Sequence, residues 1–199
     1  RSKKNKDRLS IYIDGKFAFT ISEEDYVSMN LYENTTITQE TVDYIINTLN
    51  FRKAKAIAVR YLSMKLRTEN EVMEKLRSEG YDSRCAQNVI DELKSIGYIN
   101  NILYAQKFVF DRSKLKPMSK KMMKKELQNK GIPDDIADAV LEDWKIEDNA
   151  VAISLLKRKY GKYDLNDEKI YKKTYLFLLH RGFSHDTIEE AIQCITNRK

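Results

Sequence analysis

The sequence predicts an all-α protein built from three tandem three-helix repeats that form an elongated, curved solenoid, preceded by a small N-terminal β-hairpin with helices. Three observations predict it: a glycine that recurs at a fixed interval, helical spacing of apolar residues from about residue 50 onward, and one short stretch of strict alternation near the amino terminus. Gly80, Gly131 and Gly182 are each separated by 51 residues. Each has a leucine four residues before it (Leu76, Leu127, Leu178) and an apolar residue after it (Tyr81, Ile132, Phe183). The register extends downstream through Ala86, Ala137 and Ile188, then Val89, Val140 and Ala191, then Leu93, Trp144 and Ile195. Upstream it holds at Phe51, Ile102 and Ile153 and at Ala54, Ala105 and Leu156. Apolar matches on both sides of the glycine make a chance alignment a poor explanation.

The alternating stretch runs from Leu9 to Ile21 around Asp14-Gly15. A two-residue turn would oppose Tyr12 and Phe17 and leave the apolar sets on opposite faces. A three-residue loop, Ile13-Asp14-Gly15, instead pairs Ile11 with Phe17 and Leu9 with Phe19, with Gly15 left-handed at a bulge. A lone hairpin is marginal in water, so its apolar face is expected to cover a helix. Ser22 followed by Glu23, Glu24 and Asp25 opens a short capped helix, and Thr38 opens another carrying Val42, Ile45, Ile46 and Leu49.

In the first repeat, helices are expected over 52–66, 69–79 and 83–96, the last two stopped by Gly80 and Gly97 in the left-handed conformation. Pro117 lies between helices and Pro133 begins one, where a missing donor does no harm. The expected domains are an extension over 1–50 and repeats over 51–98, 99–146 and 147–199. Stacked neighbours would bury the faces that one unit alone leaves exposed.

The 199 residues are 42% hydrophobic, enough for a real core and against extended disorder. No apolar run approaches the roughly 18 residues of a membrane span. Residues 1 to 8 are basic, but the alternating polar and apolar residues after them form no continuous signal-peptide core. A cytoplasmic monomer without membrane association is expected. Cys85 and Cys194 read as reduced, partly buried thiols. The chain has no phosphate loop, no His-Glu-x-x-His helix, no Cys-x-x-Cys pair and no nucleophile elbow. His180 and His185 are poorly spaced for one helical face, and the acidic clusters at helix starts match the helix dipole. Neither a catalytic residue nor a metal or cofactor is expected.

The basic residues are unevenly spread. Lys107, Arg112, Lys114, Lys116, Lys120, Lys121, Lys124, Lys125 and Lys130 face only Asp111 and Glu126 in the same stretch, for a local charge of +7 within a chain of net +6. On a helix, Met122, Met123 and Leu127 fall on one side and Lys120, Lys121, Lys124 and Lys125 on the other. An ordinary solvated lysine face would show the same separation, but lysines without acids at i+4 repel one another. Comparable places hold Arg52, Lys53, Lys55, Arg60, Lys65 and Arg67 in the first repeat and Lys157, Arg158, Lys159 and Lys162 in the third. Such cations suit single- or double-stranded DNA contacted through its phosphates, or an acidic groove on a protein. No recognition helix for base reading is evident. The Tyr and Phe residues read mostly as core. The residues by themselves leave open a non-specific nucleic-acid-binding repeat protein and a nuclease with an unrecognised acidic site.

Tyr61-Leu-Ser-Met-Lys-Leu-Arg-Thr-Glu-Asn-Glu-Val72 resembles the first-repeat signature of the RecX regulatory proteins. Gly97-Tyr-Ile-Asn-Asn-Ile-Leu-Tyr-Ala105, Glu126-Leu-Gln-Asn-Lys-Gly-Ile132 and Arg181-Gly-Phe183 resemble its later motifs, in the family's order. Asn101 stands where the family usually carries an acid, and Lys116-Pro-Met-Ser119 lacks a glycine often found there. The resemblance implies a non-enzymatic regulator that lies in the helical groove of a RecA filament on DNA. It further implies interference with ATP turnover and strand exchange, and limited filament growth. On that reading the contact residues would be Lys65, Arg67, Lys107, Arg112, Lys114, Lys116, Lys120, Lys121, Lys124, Lys125, Lys157, Arg158 and Lys159.

Overall fold

In the computed structural model, residues 7–32 and 36–196 are described; residues 1–6, most of the basic start, lie outside them. Strands β1 (Arg8–Ile13) and β2 (Lys16–Ser22) form the antiparallel hairpin. The connection differs from the expected three-residue loop. It is a two-residue turn with positive φ at both Asp14 (49°) and Gly15 (75°), the geometry that matches the twist of a hairpin. Tyr12 pairs with Phe17, Ile11 with Phe19 and Leu9 with Ile21, so Ala18 is the extra residue of a bulge. That single inserted residue shifts the parity of β2 and brings Phe19 and Ile21 to one face. Both are fully buried, in a cluster with Val42 and Ile45, whereas Tyr12 and Phe17 beyond the bulge are exposed.

Helix α1 (Glu23–Ser28) is capped as expected, the Ser22 hydroxyl accepting the Asp25 N–H. Helix α2 (Gln39–Tyr44) starts at Thr38, whose hydroxyl accepts the Thr41 N–H. It does not stop before the first repeat. A π-helical stretch, Ile45–Asn50, carries the backbone in helical conformation into α3 (Phe51–Ser63). The widened turn places Asn50 in the interior, where its amide donates to the Thr20 carbonyl at 2.7 Å. Arg8 donates to Asn50 Oδ1 at 2.7 Å and to the Thr20 carbonyl at 3.1 Å, and its guanidinium lies 4.0 Å from the Tyr81 ring centre. This buried knot ties the hairpin to the repeat behind it.

Burial pushes the Asp25 carboxyl up, but hydrogen bonds from Lys53 and Ser22 and the charge of Lys53 more than offset it and leave the group below its ordinary value. The stabilisation is therefore present at neutral pH and lost as pH falls through the folded-state value.

Helix α3 packs with α4 (Glu69–Ser78) and α5 (Ser83–Ser95) around Val72, Leu76, Ala86, Val89, Ile90 and Leu93. Its end at Ser63, rather than the expected residue 66, leaves an extended lead into the Thr68/Glu71 capping box that starts α4. The chain divides into two compact units, residues 1–100 and 101–199. The second contains α6 (Asn101–Leu115), α7 (Lys120–Asn129) and α8 (Asp134–Asp143), then α9 (Asp148–Tyr160), α10 (Glu168–Leu179) and α11 (His185–Thr196). Each trio encloses its own core, with Leu127 and Leu178 fully buried like Leu76.

The recurring Leu-x-x-x-Gly-apolar pattern now has a mechanism. At Gly131 the chain turns left-handed (φ 76°), so the Ile132 N–H returns to the Leu127 carbonyl and the Gly131 N–H to the Gln128 carbonyl. Tyr81 and Phe183 reach Leu76 and Leu178 in the same way. Two orphan carbonyls are satisfied, and the apolar residue after the glycine joins the leucine in the core. A helix terminator and a core contact are thus one motif, repeated three times.

Candidate polyanion-binding surface

Helix α7 separates its sides as the spacing required: Met123 and Leu127 are buried, and Lys121 and Lys125 exposed. Lys120 and Lys124 sit between and are not free. Lys124 forms an ion pair with Asp138 of α8 at 2.6 Å, which raises its pKa, and Lys120 lies 3.8 Å from Glu147. Acids absent at i+4 are supplied from other elements. On α6, Arg112 pairs with Glu126 at 2.7 Å, and Lys107 pairs with Asp111 at 3.2 Å. Lys114 stands 5.5 Å from the Phe110 ring centre. Among the described residues, Lys116, Lys121 and Lys125 have no carboxylate partner.

In the third repeat, Lys157, Arg158 and Lys159 occupy the last turn of α9, where cations match the helix dipole. All three are exposed, and none has a carboxylate partner among the described residues. Lys159 Nζ lies 4.0 Å from the Phe177 ring centre. In the other compact unit, Lys65 is exposed without such a partner, and the Arg67 guanidinium stacks 3.9 Å from the Tyr61 ring centre. Lys53 and Lys55, by contrast, are engaged with Asp25 and Glu92. The sequence-derived cations thus sort into free ones (Lys65, Lys116, Lys121, Lys125, Lys157, Arg158), ring-stacked ones (Arg67, Lys114, Lys159) and ion-paired ones (Lys107, Arg112, Lys120, Lys124).

Sequence reasoning missed Arg181. Its guanidinium donates to the Pro117 carbonyl at 2.7 Å and lies 4.6 Å from the Phe177 ring centre. Burial and then the charge of Arg158 lower its pKa, and Lys159 lies against the same Phe177 ring, 4.0 Å from its centre. The arginine belongs to the seam between the second and third repeats. There the Ser119 N–H donates to the Arg181 carbonyl at 3.1 Å and the Ser119 hydroxyl to the Gly182 carbonyl at 2.7 Å. Across the same seam the Lys120 N–H donates to Asp148 at 2.9 Å. A lone arginine outside any basic run gives little sequence signal. Its one hint is periodic, since Lys130 stands at the same place before Gly131.

Among the described residues no group of three or more His, Cys, Asp or Glu side chains is placed to hold a metal ion, and no helix is long and apolar enough to cross a membrane. His185 Nδ1 meets the Tyr175 hydroxyl at 3.0 Å and stands 4.0 Å from Glu189. Cys85 and Cys194 are both free thiols, and burial pushes Cys85 up to about 11.

Comparison with known proteins agrees with this architecture repeat by repeat. The profiles of the RecX first, second and third three-helix domains match residues 54–93, 103–141 and 147–192, and that of the regulatory protein RecX N-terminal domain matches 1–38. The regulatory protein RecX of Clostridioides difficile (strain 630) is 34% identical, covering 99% of this chain and 93% of that protein. That of Finegoldia magna is 31% identical, covering 93% and 92%. A crystal structure of RecX from Lactobacillus salivarius superposes with a TM-score of 0.62 at 29% identity, covering 73% of this chain and 96% of that one. A second crystal structure, of regulatory protein RecX, shares the fold with a TM-score of 0.66 at 22% identity over 96% and 95%. With three copies of one helical module in order, its own N-terminal domain and full-length relatives above 30% identity, this chain belongs to the RecX family of regulatory proteins.

Proposed function

We propose that this protein binds the RecA recombinase filament assembled on DNA and restrains its ATP turnover, strand exchange and growth, with no catalysis of its own. Family membership supports the regulatory role. The observation that carries the binding mode is the set of exposed cations without acidic partners among the described residues: Lys116, Lys121, Lys125, Lys157 and Arg158 in one compact unit and Lys65 in the other. A cation already held by a carboxylate has little attraction left for a phosphate or for an acidic protein surface, whereas an unpaired one has all of it. Lys107, Arg112, Lys120 and Lys124 then act mainly by holding the helices in place, and Arg67, Lys114 and Lys159 are held over rings with their charge intact. The mechanism is competition: occupying the filament excludes incoming duplex and biases the arrangement of its subunits.

The test is RecA ATP hydrolysis on single-stranded DNA with rising amounts of the protein. Inhibition that saturates supports the proposal, and unchanged turnover rejects it. The rival reading, a nucleic-acid-binding repeat protein with no recombinase partner, rests on the same cations. Binding through six to ten phosphates alone would weaken by roughly 10³- to 10⁵-fold between 50 and 200 mM salt. Filament binding should keep a salt-resistant component. In the same assay Lys121→Glu with Lys125→Glu should abolish inhibition.

A further inference from the structure

The seam between the second and third repeats gathers positive charge from three separate chain segments. Arg158 and Lys159 come from the end of α9, Arg181 from the turn after α10, and Lys116 precedes the Pro117 carbonyl that Arg181 grips. None of these four has a carboxylate partner among the described residues. The carbonyl end of α9 supplies partial negative charge to the cations of its last turn, and the Pro117 carbonyl supplies it to Arg181. Helix-dipole matching accounts for the cations on α9, but not for an arginine brought to the same place from another helix.

Aromatic rings adjoin this charge. Lys159 and Arg181 both lie against Phe177, at 4.0 and 4.6 Å from its centre. Phe177 meets Tyr160 with centroids 5.6 Å apart, and Tyr160 meets Tyr163 at 6.1 Å. Tyr163 is 52% exposed. Among the described residues one guanidinium nitrogen of Arg181 is engaged, in the bond to Pro117, so its fork still has donors to offer.

We propose that Arg158, Lys159 and Arg181 bind the phosphodiester backbone of a single nucleic-acid strand at this seam, with Tyr163 as a platform for one of its bases. Cations beside an exposed ring are what a splayed strand requires, because each unstacked base offers a π face and each linkage one negative charge. A duplex presents phosphates but no free base face. The site rests on the cationic surface of the proposed function and adds to it a strand preference, a new ligand residue and a location.

The test is fluorescence anisotropy of a labelled oligo(dT) with the full chain at several salt concentrations. Arg158→Gln breaks no hydrogen bond, ion pair or ring contact among the described residues, so it is the principal variant; Arg181→Gln is compared after thermal unfolding shows it folded. Each should weaken binding about tenfold and reduce the salt slope by about 0.7, one single-strand phosphate. Tyr163→Leu should weaken oligo(dT) roughly fivefold or more with the salt slope unchanged, and leave duplex binding as it was. Wild-type binding that these variants do not alter overturns the site. So does competition by inorganic tripolyphosphate as strong, charge for charge, as that by unlabelled oligo(dT). Failure of the filament reading would appear in the RecA ATPase assay and leave these binding curves untouched. Absence of any oligo(dT) binding by the wild type overturns the site and the DNA part of that reading together.

Discussion

The second and third repeats build their separate cores to one pattern and wear different surfaces. Leu127 and Leu178 fill the same place, and Ile132 and Phe183 close the same turn. Outside, α6 presents Ile102, Leu103 and Phe110 about half exposed, while its cations Lys107 and Arg112 are locked to Asp111 and Glu126. Helix α9, the matching helix, presents Lys157, Arg158 and Lys159, none with a carboxylate partner among the described residues. The internal register is common to both copies because helix packing demands it; outward positions are free to diverge, and there the two repeats differ.

The largest expected effect tests the shared half of this contrast. Leu127→Ala and Leu178→Ala should each cost about 2–5 kcal/mol in urea unfolding. A cost below about 1 kcal/mol at either leucine would show that the two cores are not equivalent. Next comes the seam that joins them. A methyl group at Gly182 would stand 2.7 Å from Ser119 Oγ and 2.8 Å from Met122 Cβ, at a φ of +83°. At Gly97, with φ +78°, the same methyl meets nothing. Gly97→Ala should therefore cost about 1 kcal/mol from backbone strain alone, and Gly182→Ala clearly more. Equal midpoint shifts would mean that the seam yields freely.

Smaller still is the contrast between arginines. Arg112→Ala removes the bond to Glu126 and the contact with Phe108 and should cost on the order of 1 kcal/mol, whereas Arg158→Ala should stay within about 0.5 kcal/mol of wild type. The smallest effect concerns Asp148. Burial holds its carboxyl above the ordinary value despite the Lys120 N–H. Its protonated form is favoured by folding, and that contribution is lost as pH rises through the folded-state value. Asp148→Asn should keep the bond to Lys120, leave neutral-pH stability the same or slightly higher, and remove this part of the acid-side pH dependence in thermal unfolding.

The repeats were legible because their terminator is a sequence pattern: a leucine, a left-handed glycine and an apolar residue in fixed spacing describe a complete hydrogen-bonded turn. Features set by long-range pairing were not. The hairpin's apolar alternation demanded one parity shift, yet a longer loop and a bulge at Ala18 satisfy that demand equally, and only the twist-matched Asp14-Gly15 turn decides between them. The continuous helix across residue 50 was hidden because a π-helical turn leaves the 3.6-residue spacing without adding any breaker residue. Lysine counting on α7 could not foresee Asp138, fourteen residues from Lys124 and on another helix. Arg181 escaped for a related reason, since its neighbours in the charge cluster are supplied by folding.

The unbroken path from α2 through the π-helical stretch into α3 also bears on how this chain is to be cut. Removing everything before residue 51 would sever a rod between two of its own turns, strip Arg8 from the Tyr81 ring and take away the Thr20 hydroxyl that donates to the Gly80 carbonyl. A shortened gene product begun there would carry a frayed leading edge and a sticky apolar flank, and its poor behaviour would say nothing about what the discarded hairpin does. Point changes at Tyr12 or Phe17, out at the tip, leave the rod whole and put that question cleanly.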